Sequence, residues 1–234
     1  MQNRTYMPGN FQRRQFLQTA LSSAVVGAVA QTGLELAYPT ALRAQTTLTP
    51  ESALQSLVEG NQRFSSNQLS SFQEDLTILK NHTVDKQEPF AAVLSCADSR
   101  VPVELIFDQT IGHVFVTRVA GNIASPEIIA SLEYGVAVLK IKVLLVLGHR
   151  NCGAIKAAMN TDTVPGQISA LYPHLKAAVD RSDGKFAKAV ELNAKYQAEL
   201  LGSSSTVIKQ AVKDGALKIA SGVYDLETGK VNFV

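Results

Sequence analysis

Phe90-Ala91-Ala92-Val93-Leu94-Ser95-Cys96-Ala97-Asp98-Ser99-Arg100 is an apolar run that ends in a cluster of reactive side chains. The pattern recurs downstream in Val143-Leu144-Leu145-Val146-Leu147-Gly148-His149-Arg150-Asn151-Cys152. Short apolar runs rich in branched residues read as strands covered on both faces, as the inner strands of a parallel sheet are. If the two strands lie parallel and adjacent, their carboxyl ends open on one crevice, where open α/β sheets hold their ligands. Two thiols, an imidazole and a carboxylate meet there, all ligand types that zinc accepts in tetrahedral geometry.

The rest of the chain supports that sheet. Thr49-Pro50-Glu51 reads as a helix start, with Thr49 as N-cap and Pro50 at the first helical position, and Leu54, Leu57, Val58 and Phe64 form an apolar stripe beyond it. Ser65 to Ser71 is a loop and a second helix is expected from about Phe72 to Lys80; such helices either clasp a partner subunit or pack on the core. After the first motif come a short helix near Leu105, a strand from His113 to Val119, and a helix opened by Ser125-Pro126-Glu127 that runs to about Leu139. Beyond Cys152 four helices are expected: one from Cys152 to near Met159, then Gln167 to Asp180, Lys185 to Leu201 and Ser205 to Asp214, with Gly215 as terminator. Leu217 to Tyr224 and Val231 to Val234 read as a hairpin at a sheet edge. The fold class is therefore α/β: a mainly parallel central sheet flanked by helices, with an N-terminal helical arm and a C-terminal edge hairpin.

Charge is unevenly spread. Arg4, Arg13, Arg14 and Arg43 precede residue 45 with only Glu35 against them, which leaves 18 basic and 19 acidic residues in the remainder. No basic run or aromatic-interleaved basic stripe points to nucleic acid, and no glycine-rich phosphate loop is present. Arg13-Arg14 followed by Phe16-Leu17 and the apolar segment Ala20 to Ala30 has the form of an export signal and resembles the twin-arginine motif. Residues 1–44 are accordingly expected to be an export signal and linker that meets the export machinery at the membrane, and residues 45–234 a single α/β zinc enzyme domain. The destination would be the bacterial periplasm, or the thylakoid lumen in a photosynthetic bacterium. In an oxidising compartment a disulfide between the two cysteines is the alternative, but it would leave His149, Asp98 and Arg100 unexplained.

Cys96 and Cys152 are far apart in sequence, and only His149-x-x-Cys152 is a local pair, unlike the paired knuckles of structural zinc sites. Three such ligands leave a coordination position for water, whose pKa at zinc falls to about 7. Asp98 is close enough to Cys96 to take that position itself. Arg100 can instead hold the carboxylate by a bidentate pair. Both arrangements are open at this level.

These segments resemble the signatures of β-class carbonic anhydrases of the bacterial type: Cys96-x-Asp98-x-Arg100, Gly148-His149-x-x-Cys152-Gly153 and Arg118-Val119-Ala120-Gly121-Asn122. The likeness extends from Glu59-Gly60-Asn61-Gln62-Arg63-Phe64 to Tyr224-Asp225-Leu226 and Thr228-Gly229-Lys230-Val231. The resemblance implies attack of zinc hydroxide on carbon dioxide to give bicarbonate, and a homodimer or homotetramer with active sites at the subunit interface. It further implies that Cys96, His149 and Cys152 are zinc ligands, and that Asp98 is either a fourth ligand or a catalytic partner of Arg100. Two features depart from the family: Arg150 occupies a position often held by a small residue, and the absence of tryptophan removes the usual form of a second, inhibitory bicarbonate pocket. Hydrolysis of carbonyl sulfide or carbon disulfide, and a catalytically silent zinc module in a larger assembly, are the alternative functions. His82, His113 and His174 as proton relays, and Gln109 and Tyr134 along a substrate path, are weighed against ordinary packing, which fits each as well.

Overall fold

The computed structural model describes residues 46–71, 80–81, 83–160 and 164–234, all within the unit Thr40–Val234. The expected export segment, nearly all of the helix expected from Phe72 to Lys80, and His82 lie outside the described residues. Among the described residues no helix is long and apolar enough to cross a membrane.

Helix α1 (Pro50–Ser65) starts where the sequence says it should. Thr49 Oγ1 accepts from Ser52 N at 3.2 Å, and Ser52 Oγ accepts from Thr49 N at 2.9 Å, a reciprocal cap that satisfies two otherwise orphaned donors. The chain then forms β1 (Ala91–Ser95), a short α2 (Val103–Ile106), β2 (Val114–Arg118), α3 (Pro126–Ala137), β3 (Val143–His149), α4 (Gly153–Asn160), α5 (Tyr172–Asp180), α6 (Phe186–Ser204), α7 (Thr206–Lys213), β4 (Lys218–Tyr224) and β5 (Val231–Phe233). The strands form one sheet in the order β2-β1-β3-β4-β5, parallel except for β5, which pairs antiparallel with β4 at the edge.

Alternation along β1 and β3 explains their unbroken apolar reading. Ala91, Val93, Val143, Leu145 and Leu147 face one core, completed by Ala53 and Leu57 of α1 and by Ile106 and Phe107. Ala92, Leu94, Leu144 and Val146 face another, completed by Leu132 and Val136 of α3, Ala194 and Leu201 of α6, and Ile208 of α7. A sheet covered on both faces has no polar side for these strands to show.

Three expectations are refined in detail. Of the two roles open to the first helix, the structure shows core packing: Ala53 and Leu57 are fully buried, and Gly60 lets the helix approach so closely that a Cβ there would sit 1.9 Å from Phe107 O. The helix expected over Gln167 to Asp180 is divided into a 3-10 turn (Ile168–Leu171) and α5, because Pro173 has no N–H to donate and fits only a first turn. Ser125 precedes α3 as expected, but its hydroxyl donates to Glu127 Oε2 at 3.0 Å instead of capping the backbone.

Helix α1 and the terminal hairpin meet. Asn61 of α1 accepts from Val231 N at 2.8 Å and donates to Gly229 O at 2.9 Å and Ile106 O at 3.2 Å, and Phe64 packs on Tyr224. This buried amide fastens the terminal hairpin to the first helix.

Candidate metal centre

Strand order places the site. The chain leaves β1 toward β2 on one side and returns to β3 on the other, so a crevice opens beyond the carboxyl ends of β1 and β3, the switch point at which such sheets bind ligands. Cys96 follows β1 directly, His149 is the last residue of β3, and Cys152 precedes α4.

Their donor atoms, Cys96 Sγ, Cys152 Sγ and one ring nitrogen of His149, all lie within 4.8 Å of one another, and all three residues are buried. Ile123, Ile155, Leu175, Ala189 and Val190 surround the thiols in an apolar cluster. His149 Nδ1 lies 2.8 Å from Arg150 O, which assigns the proton to Nδ1 and leaves the Nε2 lone pair facing the thiols. Nε2 is buried and has no hydrogen-bond partner among the described residues. An orphaned buried nitrogen costs about 1–3 kcal/mol, and a soft divalent cation removes that cost.

The thiols make the same demand. Cys96 is driven far below the ordinary thiol range, first because the Cys152 thiol donates to it and further by the Gly121 N–H, with burial opposing. Cys152 is driven above that range by its bond to Cys96 and by burial, although the Ala154 and Ile155 N–H groups at the start of α4 favour its thiolate. Two thiols so close share one negative charge unless a cation lets both ionise. The donor set, two sulfurs and an imidazole nitrogen with its second nitrogen bonded to a carbonyl, fits zinc.

Asp98 stands beside this cluster and outside it. Arg100 Nε donates to Asp98 Oδ1 at 2.9 Å, an Arg100 terminal nitrogen donates to Oδ2 at 2.7 Å, and Arg100 N donates to Oδ1 at 3.0 Å. The bidentate pair therefore holds the carboxylate, with Oδ2 3.8 Å from His149 Nε2. Arg100 holds the Asp98 carboxyl well below the usual carboxylate range, against the smaller effect of burial. Arg118, at the end of β2, braces the turn by donating to Cys96 O at 3.0 Å and Asp98 O at 2.6 Å.

The remaining candidates lie elsewhere. Arg150 does not turn toward the thiols; it pairs with Asp225 Oδ2 at 3.2 Å. His113 precedes β2, at the opposite end of the sheet from Cys96, and the carbonyl of His174 accepts from Gln197. Gln109 is buried and donates to Phe107 O at 2.8 Å, whereas Tyr134 is exposed beside Phe115 of the edge strand.

Asn193 and Gln197 escaped the sequence reading although they lie close to the site. The mixed charges of Lys185 to Lys195 suggest a solvated helix, and the outer face of α6 is one, with Lys195 paired to Glu191. The signal on the inner face was an asparagine and a glutamine four residues apart in line with Ala189, Val190, Ala194 and Leu201, all buried.

A family model for carbonic anhydrase matches residues 91–231 of this chain. Carbonic anhydrase 2 of Mycobacterium tuberculosis is 33% identical over 190 residues, spanning 77% of this chain and 91% of that relative. The carbonic anhydrase of Mycolicibacterium smegmatis is 34% identical over 195 residues, spanning 78% and 92%. A solved structure of the Coccomyxa β-carbonic anhydrase in complex with acetazolamide is similar with a TM-score of 0.62 at 30% identity, over 77% of this chain and 86% of that one. A tetrameric β-carbonic anhydrase of Sordaria macrospora shares the fold at 23% identity, with a TM-score of 0.61 over 68% of this chain and 90% of that one.

Proposed function

The chain belongs to the β class of the carbonic anhydrase family, and from that premise we propose that its site hydrates carbon dioxide reversibly to bicarbonate and a proton, with Asp98 and Arg100 as the catalytic pair. Cys96, His149 and Cys152 are the residues that would hold zinc. Zinc, when bound, supplies the Lewis acidity that lets water ionise near pH 7 (about 7 in the best-studied case).

The protein's part is orientation and charge. Arg100 occupies both oxygens of Asp98, so the carboxylate stays ionised and can only accept hydrogen bonds. With Oδ2 turned toward the His149 side of the crevice, 3.8 Å from Nε2, the carboxylate is placed to accept an O–H from the nucleophile and so to orient it toward the substrate carbon. Ile123, Ile155 and Leu175, all buried, pack with Cys96 and Cys152 and keep water from the inner side of the thiols. The observation that carries this reading is the coincidence of three buried soft donors with an adjacent carboxylate already claimed by an arginine.

Stopped-flow hydration of carbon dioxide by the zinc-loaded protein tests it. Asp98→Ala is expected to keep zinc at one ion per chain and lose most of the activity; wild-type rates in that variant would remove the pair from the mechanism.

Two further readings rest on sequence. The Arg13-Arg14 segment supports export of the folded, metal-loaded protein to the periplasm or thylakoid lumen, with residues 45–234 as the mature enzyme domain; N-terminal sequencing of the protein from the exported fraction tests this, and an intact Met1 there would refute it. The family likeness supports a homodimer or homotetramer, which light scattering of the mature protein tests, a monomer being the contrary result.

A further inference from the structure

Gly121 N donates to Cys96 Sγ at 3.4 Å. What holds that N–H in place lies on the far side of the loop, in α6. Asn193 Nδ2 donates to Gly121 O at 2.9 Å, Gln197 Nε2 donates to Asn193 Oδ1 at 3.1 Å and to His174 O at 3.0 Å, and Gln197 Oε1 accepts from Ala124 N at 2.8 Å. Both amides are buried.

The chain of bonds has one consistent sense. Ala124 N is a donor, so the Gln197 atom facing it must be oxygen; Gln197 nitrogen must then face Asn193 oxygen, and Asn193 nitrogen the Gly121 carbonyl. Turning either amide over sets donor against donor or acceptor against acceptor. The two amides therefore bracket the segment from Gly121 to Ala124 with fixed anchors.

Gly121 needs such anchoring. Its φ of 77° is in the left-handed region that side chains disfavour, and a Cβ there would meet Leu175 Cδ2 at 3.2 Å and Ala154 Cβ at 3.3 Å. A glycine is the residue freest to swing away. Asn193 fixes its carbonyl side, and the amide on the other side of the same Cα is thereby aimed at the sulfur.

We propose that Asn193 and Gln197 are positioning residues for Cys96, acting through Gly121 to hold an N–H···S bond that sets how strongly this sulfur donates to a bound metal. The inference rests on the reading of Cys96 as a metal ligand. An N–H donated to a thiolate takes up part of its charge, so losing it makes the sulfur a stronger donor and moves its charge-transfer absorption to lower energy.

The test uses the full protein reconstituted with cobalt(II) and, separately, with zinc, in wild-type form and as Asn193→Leu and Gln197→Met. Wild-type protein should show intense near-ultraviolet thiolate-to-cobalt absorption at one cobalt per chain. In both variants that absorption should move to longer wavelength, and zinc affinity measured against a chromophoric chelator should change by about 10- to 100-fold, as loss of outer-shell partners does. Thermal melting of the metal-free proteins separates the effect on folding. Unmoved absorption and affinity beside a lowered melting temperature would make both residues merely structural and overturn the proposal. A wild-type spectrum without thiolate absorption would instead overturn the reading of Cys96 as a ligand. If Asn193→Leu does not fold, Asn193→Ser removes the same donor and gives the same readings.

Discussion

Asp108→Asn isolates a buried charge that ties three segments together. The carboxylate is buried and accepts from Ser70 N at 3.0 Å, Ser70 Oγ at 2.8 Å, Ser71 N at 2.9 Å, Ser71 Oγ at 2.7 Å and Arg63 Nε at 2.5 Å. It thus joins the end of α1 and the loop after it to the turn beyond α2. Asp108 has a φ of 47°, a conformation that asparagine tolerates as well as aspartate, so the substitution changes charge and hydrogen bonding without adding backbone strain. An asparagine must place its NH2 against either the Ser71 N–H, which cannot rotate, or Arg63 and the Ser70 hydroxyl, of which only the hydroxyl can turn to accept. Losing the charge-assisted bond to Arg63 is the smaller of these costs, and Arg63 is itself 36% exposed, which discounts it. The expected loss is about 2–4 kcal/mol, or a fall in melting temperature of roughly 5–15 °C. Burial alone would raise the Asp108 pKa, but Arg63, Ser71 and Ser70 outweigh it and hold the carboxyl well below the usual range. A group so lowered contributes stability above its unfolded pKa of about 3.9 and loses it as pH falls. Urea titrations at pH 7 and near pH 3 should therefore show a deficit in the variant that shrinks on acidification, with an unchanged dependence on urea. A deficit under about 1 kcal/mol at pH 7, or one of equal size at both pH values, refutes the account of this clamp.

Other substitutions test the contacts around it. Gly60→Ala should gain about 1 kcal/mol from helix propensity alone; with a Cβ 1.9 Å from Phe107 O, it should instead lose about 2 kcal/mol or more in thermal melting, and a stabilised variant would contradict the packing. Asn61→Leu leaves Val231 N, Gly229 O and Ile106 O without their partner. It should cost about 2–4 kcal/mol and raise hydrogen exchange selectively in β5; uniform protection across β4 and β5 would deny Asn61 its fastening role.

The sheet was readable because β1 and β3 are apolar on both faces and end in chemistry, and Thr49-Pro50 and Gly215 mark helix ends by local backbone rules. The division at Leu171 was missed although Pro173 announces it, because apolar spacing continues across the break. The donors Cys96, His149 and Cys152 were nameable from residue type, but the side taken by Asp98 was not: a carboxylate two residues from both a ligand and an arginine is settled only by side-chain geometry, which gives it to Arg100. Arg150 has the same lesson, since its partner Asp225 comes close only when β3 and β4 pair. Asn193 and Gln197 were hidden because polar residues on a charged helix read as surface until they are seen to bond to Gly121 O and Ala124 N of the neighbouring loop.

The most direct test of the metal centre is zinc-edge X-ray absorption on the protein loaded with one zinc per chain. Two sulfur scatterers near 2.3 Å together with nitrogen or oxygen scatterers near 2.0–2.1 Å are predicted, roughly the bond lengths zinc adopts with these donors. A shell of nitrogen and oxygen alone, with no sulfur, would contradict the assignment of Cys96 and Cys152.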